Sequence, residues 1–356
     1  MSDSLACRMY IVPDTKDVDS LRCTENYAPC ELYVTRTIDE NGNKSYEFKD
    51  KLDKVVLKRA INKDQLYDTY FVYDSFGNLR IVLPPQASAA LTSGSWGENA
   101  LALADYAYLY KYDNRNRCIA KKLPGSDWIK MIYDRGDRLI FTQTGAQRER
   151  DSEEWTFSIS DIFSRVVLEG TCKSDKNFSI TAERFSNSLL LAEPFLPSTE
   201  NKGYRILLDQ TPVALSNVIF YKANYYDNYD FLGTNSFPAV TDTNFVYKSL
   251  SPYGERYTAS AKGLLTGMIT ARLNDGTIPS YDYTVKYYDE RSRVVQEKST
   301  NHLDGYDQTY FAYNFVDQPI MMQHVHSAKS KLTQTERYTY TYDHAGRLMT
   351  TKHQLN

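Results

Sequence analysis

Tyr342-Asp343-His344-Ala345-Gly346-Arg347-Leu348-Met349 decides how the chain is read, because its pattern returns upstream in worn copies. Tyr fills the first place, Asp the second, Gly the fifth, Arg the sixth, and apolar residues follow. Tyr73-Asp74-Ser75-Phe76-Gly77-Asn78-Leu79 keeps Tyr, Asp and Gly. Tyr112-Asp113 with Arg117, Tyr133-Asp134 with Arg138, and Tyr288-Asp289 with Arg293 keep Tyr, Asp and Arg but lose the Gly. Weaker copies start at Ser160, with Asp161 and Arg165, and at Tyr313, with Asn314 and Gln318; Asp50 with Lys54 is a copy that has lost its Tyr. Successive starts lie 21 and 27 residues apart from Tyr112 to Ser160, and 25 and 29 apart from Tyr288 to Tyr342. Recurrence at this spacing marks an array of small units that each bury an apolar face against their neighbours.

Inside a copy the residues before the Tyr alternate, as in Tyr338-Thr-Tyr-Thr-Tyr342, and alternation resumes after the Arg, as in Leu139-Ile-Phe-Thr-Gln143. The residues between must therefore turn the chain, so each copy predicts a β-hairpin. Asp at the second place suits backbone N–H groups across the bend, and Gly at the fifth permits φ > 0. Asn116, Asp137, Ser164, Ser292 and Asp317 stand where the Gly is missing. The Arg has two available partners, the turn Asp or one on a neighbouring hairpin. An exposed pair of that kind contributes only ~0–1 kcal/mol, so its expected role is register. Asn41-Gly42, between strand-like stretches, predicts a type I′ hairpin turn.

The fold class expected is all-β, with repeated hairpins pairing into one long curved or spiralling antiparallel sheet. Pro84-Pro85 ends a strand, and the Ala/Leu-rich stretch 87–108, split by Ser93-Gly94-Ser95, predicts one or two short helices. The chain divides into a lead-in without clear period over 1–30, a repeat array over 31–171, a degenerate region of strands and loops over 172–280, and a second array over 281–356. Prolines at 194 and 197 and the stretch Asn235-Ser-Phe-Pro238 predict long loops in the degenerate region. Tyr226-Asp227 there opens like a copy but lacks the following Gly-Arg, and counts as half of one.

The 356 residues are 42% hydrophobic and 13% aromatic, with 30 Tyr against 15 Phe. Tyr suits half-wet sheets, because its ring packs while its hydroxyl reaches a polar partner. A net charge of −3 and only paired basic residues exclude nucleic acid as a partner. No segment has the length and apolarity of a membrane span or the form of a signal peptide. The five Cys lack CxxC spacing; a bridge among Cys7, Cys23 and Cys30 fits their positions.

No catalytic residue, cofactor or metal site is assigned. The Asp residues recur at one turn position, whereas glycosidase chemistry needs one opposed carboxylate pair. All five His lie beyond residue 300, and no Ser or Cys sits in a nucleophile elbow. His324-Val-His326 places two imidazoles on one strand face, without a third ligand. Asp227 and Asp230 lack the spacing of a calcium loop. The tyrosines with Trp96, Trp128 and Trp155 suit sugar stacking, but cross-strand packing accounts for them without any ligand.

The copies resemble the YD repeats of Rhs proteins and teneurins. Three stretches sharpen the likeness to a bacterial Rhs branch: Asp68-Thr-Tyr-Phe-Val-Tyr-Asp-Ser-Phe-Gly-Asn-Leu-Arg-Ile-Val-Leu-Pro-Pro85, Lys121-Lys-Leu-Pro-Gly125 and Gly263-Leu-Leu-Thr-Gly267. The resemblance covers roughly residues 30–356. It implies hairpins paired edge to edge into a sheet that winds into a hollow shell, enclosing a toxin or other cargo or serving as a rigid surface module. It also implies a secreted or cell-surface setting within a longer polypeptide. The chain ends seven residues after Met349 with no Rhs core signature, autoproteolysis motif or toxin domain, so a fragment or truncated member is expected. The partners expected are other repeats of the same or a longer polypeptide, a toxin or effector segment, or a glycan.

Overall fold

The structure, a computed structural model, describes every residue except 1–4, 13–19, 63–64, 152, 196–199, 235–236, 238–242 and 273–279. The chain is all-β, dominated by antiparallel strands with a few short helices. It forms two compact units: Met1–Tyr133 with Phe141–Glu154, and Asp134–Ile140 with Trp155–Asn356.

The first unit opens with β1 (Arg8–Ile11), β2 (Leu21–Asn26), β3 (Tyr33–Ile38), β4 (Lys44–Lys49), β5 (Val55–Asn62), β6 (Gln65–Tyr73) and β7 (Leu79–Leu83). Helix α1 (Pro85–Ala90), β8 (Gly94–Trp96) and helix α2 (Leu101–Tyr106) follow, then β9 (Tyr108–Tyr112), β10 (Cys118–Lys122) and β11 (Ile129–Tyr133). β3 to β7 pair in order as an antiparallel meander, β9 joins β7, and β10 and β11 continue beyond it. β1, β2 and β8 make a separate three-stranded sheet. Tyr10, Leu21 and Cys23 of that sheet share one core with Phe48, Leu57, Tyr70 and Ile81 of the meander and with Leu103 of α2.

Pro85 starts α1 where a missing N–H is harmless, and each of these helices is too short to persist without packing. α2 falls inside the stretch 87–108 where helical spacing predicts helices, and α1 begins two residues before it. The bridge that fits Cys7, Cys23 and Cys30 is absent, since all five thiols are free. Burial pushes the Cys7 and Cys172 thiols up to about 12, so neither supplies a thiolate nucleophile at neutral pH.

β12 (Leu139–Gln143) and helix α3 (Gly145–Arg150) lead towards the second unit. That unit continues with β13 (Glu154–Ser160), β14 (Val166–Lys173), helix α4 (Ala182–Ser186), β15 (Leu190–Pro194), β16 (Tyr204–Leu208) and β17 (Thr211–Pro212). Its remaining strands are β18 (Ser216–Asp227), β19 (Ala261–Arg272), β20 (Ser280–Tyr288), β21 (Val294–Thr300), β22 (Tyr306–Tyr313), β23 (Pro319–Ser327), β24 (Gln334–Tyr342) and β25 (Leu348–Leu355). β18 pairs with β14, and β18 to β25 form an antiparallel meander. The stretch read as degenerate thus holds β18 and β19, each 12 residues long. The loop expected at 235–238 lies outside the described residues except for Phe237, as do residues 196–197 of the other.

Helices α3 and α4 lie outside the repeat pattern. Thr144 and Gln147 make a reciprocal capping box on α3, a signal present in the sequence but short enough to be hidden by the strand pattern around it.

Candidate functional site: the repeat turns and the split repeat

Each copy is one turn with one hydrogen-bond pattern. At Asp343 the backbone N–H donates to Arg347 O at 2.9 Å, and Gly346 N–H donates back to Asp343 O at 3.0 Å. Asp343 Oδ1 accepts Ala345 N–H and Arg347 N–H at 2.9 and 2.8 Å, while Oδ2 accepts Arg347 Nε at 2.7 Å. The same backbone pair closes the turns at Asp39, Asp50, Asp74, Asp113, Asp134, Asp161, Asp289 and Asn314. The fifth place has positive φ in all of them, at Gly42, Asp53, Gly77, Asn116, Asp137, Ser164, Ser292, Asp317 and Gly346. This is a three-residue hairpin loop, a type I turn followed by a left-handed residue that makes a bulge. The Asn41-Gly42 turn belongs to it as well and is not type I′, because only Gly42 of that pair has positive φ. Asp39 claims the N–H groups of Asn41 and Asn43, and that bracing selects the wider loop.

Arg293 uses both partners that the sequence left open. Arg293 Nε binds its own Asp289 at 2.7 Å while Nη1 reaches Asp317 of the next turn at 2.8 Å. Asp343 is held below the usual carboxylate range by the N–H and guanidinium of Arg347. Burial alone would raise Asp113, but the Arg117 N–H and guanidinium prevail and lower it. Carboxylates held ionised in this way are poorly matched to general-acid work near neutral pH.

The structure also explains the Tyr. Its hydroxyl donates to the backbone carbonyl at the seventh place of the preceding copy: Tyr73 to Val55, Tyr112 to Leu79, Tyr133 to Cys118, Tyr313 to Val294 and Tyr342 to Pro319, at 2.8 to 3.2 Å. The cation at the sixth place lies over the ring of the next Tyr, with Lys54 over Tyr73, Arg117 over Tyr133 and Arg293 over Tyr313 at 4.8 to 5.3 Å. In these pairs a motif builds its own turn and also contacts the following one.

Tyr226-Asp227 opens a copy whose fifth and seventh places lie beyond an insertion. Gly263, with φ of 80°, supplies the fifth place, and its N–H donates to Asp227 Oδ1 at 2.7 Å. Leu265 fills the seventh place, since Tyr288 of the next copy donates to its carbonyl at 2.6 Å. The missing Arg is replaced by Arg165 of the preceding copy, which grips Asp227 through two bonds of 3.0 and 2.7 Å and stacks 4.3 Å over Tyr226. Asp227, weighed in the sequence as a calcium ligand, is thus occupied by a guanidinium and a turn N–H. Asp230 N–H is bonded to Asn228 Oδ1, within the start of the insertion.

The described aromatic residues of the insertion pack on one face of the meander. Phe231, Phe237 and Phe245 are buried against Tyr225, Tyr283 and one another, with ring centroids 4.5 to 5.6 Å apart. Gly267 of β19 makes room for this layer, because a Cβ there would strike the Phe231 ring. Thr266 Oγ1 donates to the carbonyls of Tyr225 and Asn228. Gly263-Leu-Leu-Thr-Gly267 therefore closes the split turn and seats the insertion. Lys298 of β21 is buried beneath it, with Nζ donating to Val246 O at 2.6 Å, and burial lowers its pKa to about 8.

The remaining candidates are accounted for by packing. Trp155 is buried, Trp96 packs on the first unit's core, and Trp128 carries Lys111 Nζ 4.7 Å above its ring. A cavity of ≈ 910 Å³ lies beside Asp161, Phe163, Arg165 and Asp227. Its guanidiniums face carboxylates: Arg165 with Asp161 and Asp227, Arg205 with Glu193, and Arg135 with Asp209. His324 and His326 share a strand face, where Asp307 joins them from β22; sequence spacing gave no sign of that third residue.

No family model matches the chain, and no curated protein matches it. Solved structures do. The crystal structure of TcdB2-TccC3-Cdc42 is 11% identical over 98% of this chain and 17% of that one, with a TM-score of 0.42. TcdB2-TccC3 gives 11% identity, the same coverages and a TM-score of 0.41. The Tc holotoxin pore of Photorhabdus luminescens gives 12% identity over 98% of this chain and 20% of that one, with a TM-score of 0.30. The chain spans about a fifth or less of the length of these structures.

Proposed function

We propose that this chain is a non-enzymatic scaffold, a segment of an Rhs-type YD-repeat β-shell that encloses or presents a partner polypeptide. In this reading the motif residues Tyr, Asp, Gly and Arg are structural throughout, and the protein acts secreted or at a cell surface as part of a longer polypeptide. The observation that carries the reading is the use of the motif twice, once within each turn and once between turns, through the Tyr hydroxyl and the cation over its ring. Chemistry would need carboxylates that differ from one another, whereas these Asp residues are given the same partners at turn after turn.

A surface that binds glycan through exposed Tyr gains less support, since the repeat tyrosines spend their hydroxyls on backbone carbonyls. Co-expression of the chain with the polypeptides encoded in and next to its own gene, followed by limited proteolysis, tests the shell. Co-purification of one such polypeptide in a protease-protected form is expected. Full cleavage of every candidate at the rate seen without the chain would overturn the proposal.

A further inference from the structure

The face of β22 and β23 opposite the insertion carries a cluster that a scaffold does not require. Asp307 stands directly across from His326, and Thr309 across from His324. Residues two apart on a strand share a face, so both imidazoles and the carboxylate point the same way. Their ligand atoms all lie within 4.8 Å of one another. His326 Nδ1 is 2.6 Å from Asp307 Oδ1, and His324 Nε2 is 3.9 Å from that same oxygen. The side chains of His324, His326 and Asp307 are 33%, 30% and 29% exposed, which leaves water and ions a route in.

The surrounding shell fits ligation too. Thr309 Oγ1 lies 3.1 Å from His324 Nδ1, which orients the ring and directs Nε2 towards the carboxylate. Asn301 Nδ2 donates to Asp307 Oδ1 at 3.2 Å and fixes that side chain. Outer partners of this kind set ring orientation and ligand basicity in metal sites.

We propose that Asp307, His324 and His326 bind a zinc-class divalent ion that clips β22 to β23 and leaves a coordination position for water. Two imidazoles and one carboxylate suit zinc and its first-row neighbours; calcium and magnesium favour all-oxygen shells, and Cu(I) favours thiolate or thioether. Bonds of ~2.0 Å in a tetrahedral shell hold ligand atoms roughly 3.3 Å apart, so the Asp307–His326 contact opens slightly as the ion enters.

Isothermal titration of the chelator-treated full chain with Zn²⁺ tests the site. One ion per chain is expected, with no heat from Mg²⁺ or Ca²⁺. Titration with Co²⁺ should produce a visible d–d absorption band. Asp307→Asn and His326→Ala should each weaken Zn²⁺ binding by roughly tenfold or more, while His344→Ala, on an exposed turn, should leave it unchanged. Absence of stoichiometric Zn²⁺ binding, or wild-type affinity in Asp307→Asn, would overturn the proposal. Should His326→Ala fail to fold by circular dichroism, the near-isosteric Asp307→Asn decides the matter.

Discussion

The turn at Tyr342 and the one split between Tyr226 and Gly263 perform the same job with different chain economy. The first builds its bonds from adjacent residues, with Arg347 serving its own Asp343. The second places an inserted layer between its Asp and its Gly, and borrows Arg165 from another copy to hold Asp227. Both turns gather on one carboxylate but with different donors: Asp343 Oδ1 takes the N–H groups of the fourth and sixth places, and Asp227 Oδ1 takes that of the fifth. Chain continuity through the turn is dispensable, because the entropy of closing a longer loop grows only slowly with length and the insertion buries its own aromatic core.

That comparison can be broken most forcefully through the insertion. Phe231→Ala should cost about 3–5 kcal/mol in the second unit by opening a cavity among stacked rings, whereas Phe315→Ala, on the exposed part of a contiguous turn, should leave denaturant midpoints near wild type. Equal effects would mean that the insertion is an ornament.

Lys298 supplies a pH-dependent signature of the same layer. Its folded pKa of about 8 lies below its ordinary value of 10.5, so between those limits the unfolded chain holds more protons than the folded one. Its contribution to stability therefore rises with pH across that window, by about 3 kcal/mol. Below about pH 8 it contributes no pH dependence. Guanidinium unfolding at pH 7.5 and 10 should show most of this rise, about 2 kcal/mol, in the wild type relative to Lys298→Met, and a matching profile in both proteins would place the ammonium in water.

Among contiguous turns, Gly346→Val forces a β-branched residue to φ of 80° beside Gln318 Nε2 and should cost about 1–3 kcal/mol. Arg347→Ala, on a largely exposed side chain, should cost less, and a reversed order of midpoints would remove the left-handed assignment. Smallest is Tyr313→Phe, which removes one hydroxyl from Val294 O and should cost about 1 kcal/mol. Tyr288→Phe should match it if the split copy is equivalent, and hydrogen exchange at the two acceptor strands would detect a difference.

Much of this was readable in the residues. Tyr-Asp followed by a Gly, Asn or Asp and then Arg states a turn because every bond that closes it joins residues within five of each other. The helices α1 and α2 were readable for a similar reason, from Ala/Leu spacing after Pro84-Pro85. The reading failed wherever a partner was remote. Gly263 looked like part of a separate stretch, the Tyr hydroxyl had no visible acceptor, and Asp307 had no visible link to His324.

The sequence by itself determined the strands, the turns and which residue types each turn demands, since these depend on local dihedral preference and on short hydrogen bonds. Only the tertiary structure decided which carbonyl each Tyr meets, that Tyr226-Asp227 is completed beyond an insertion, and that two imidazoles converge on a carboxylate. Those facts follow from strand register, which is set by pairing and burial across many residues and leaves no mark in any single window of sequence.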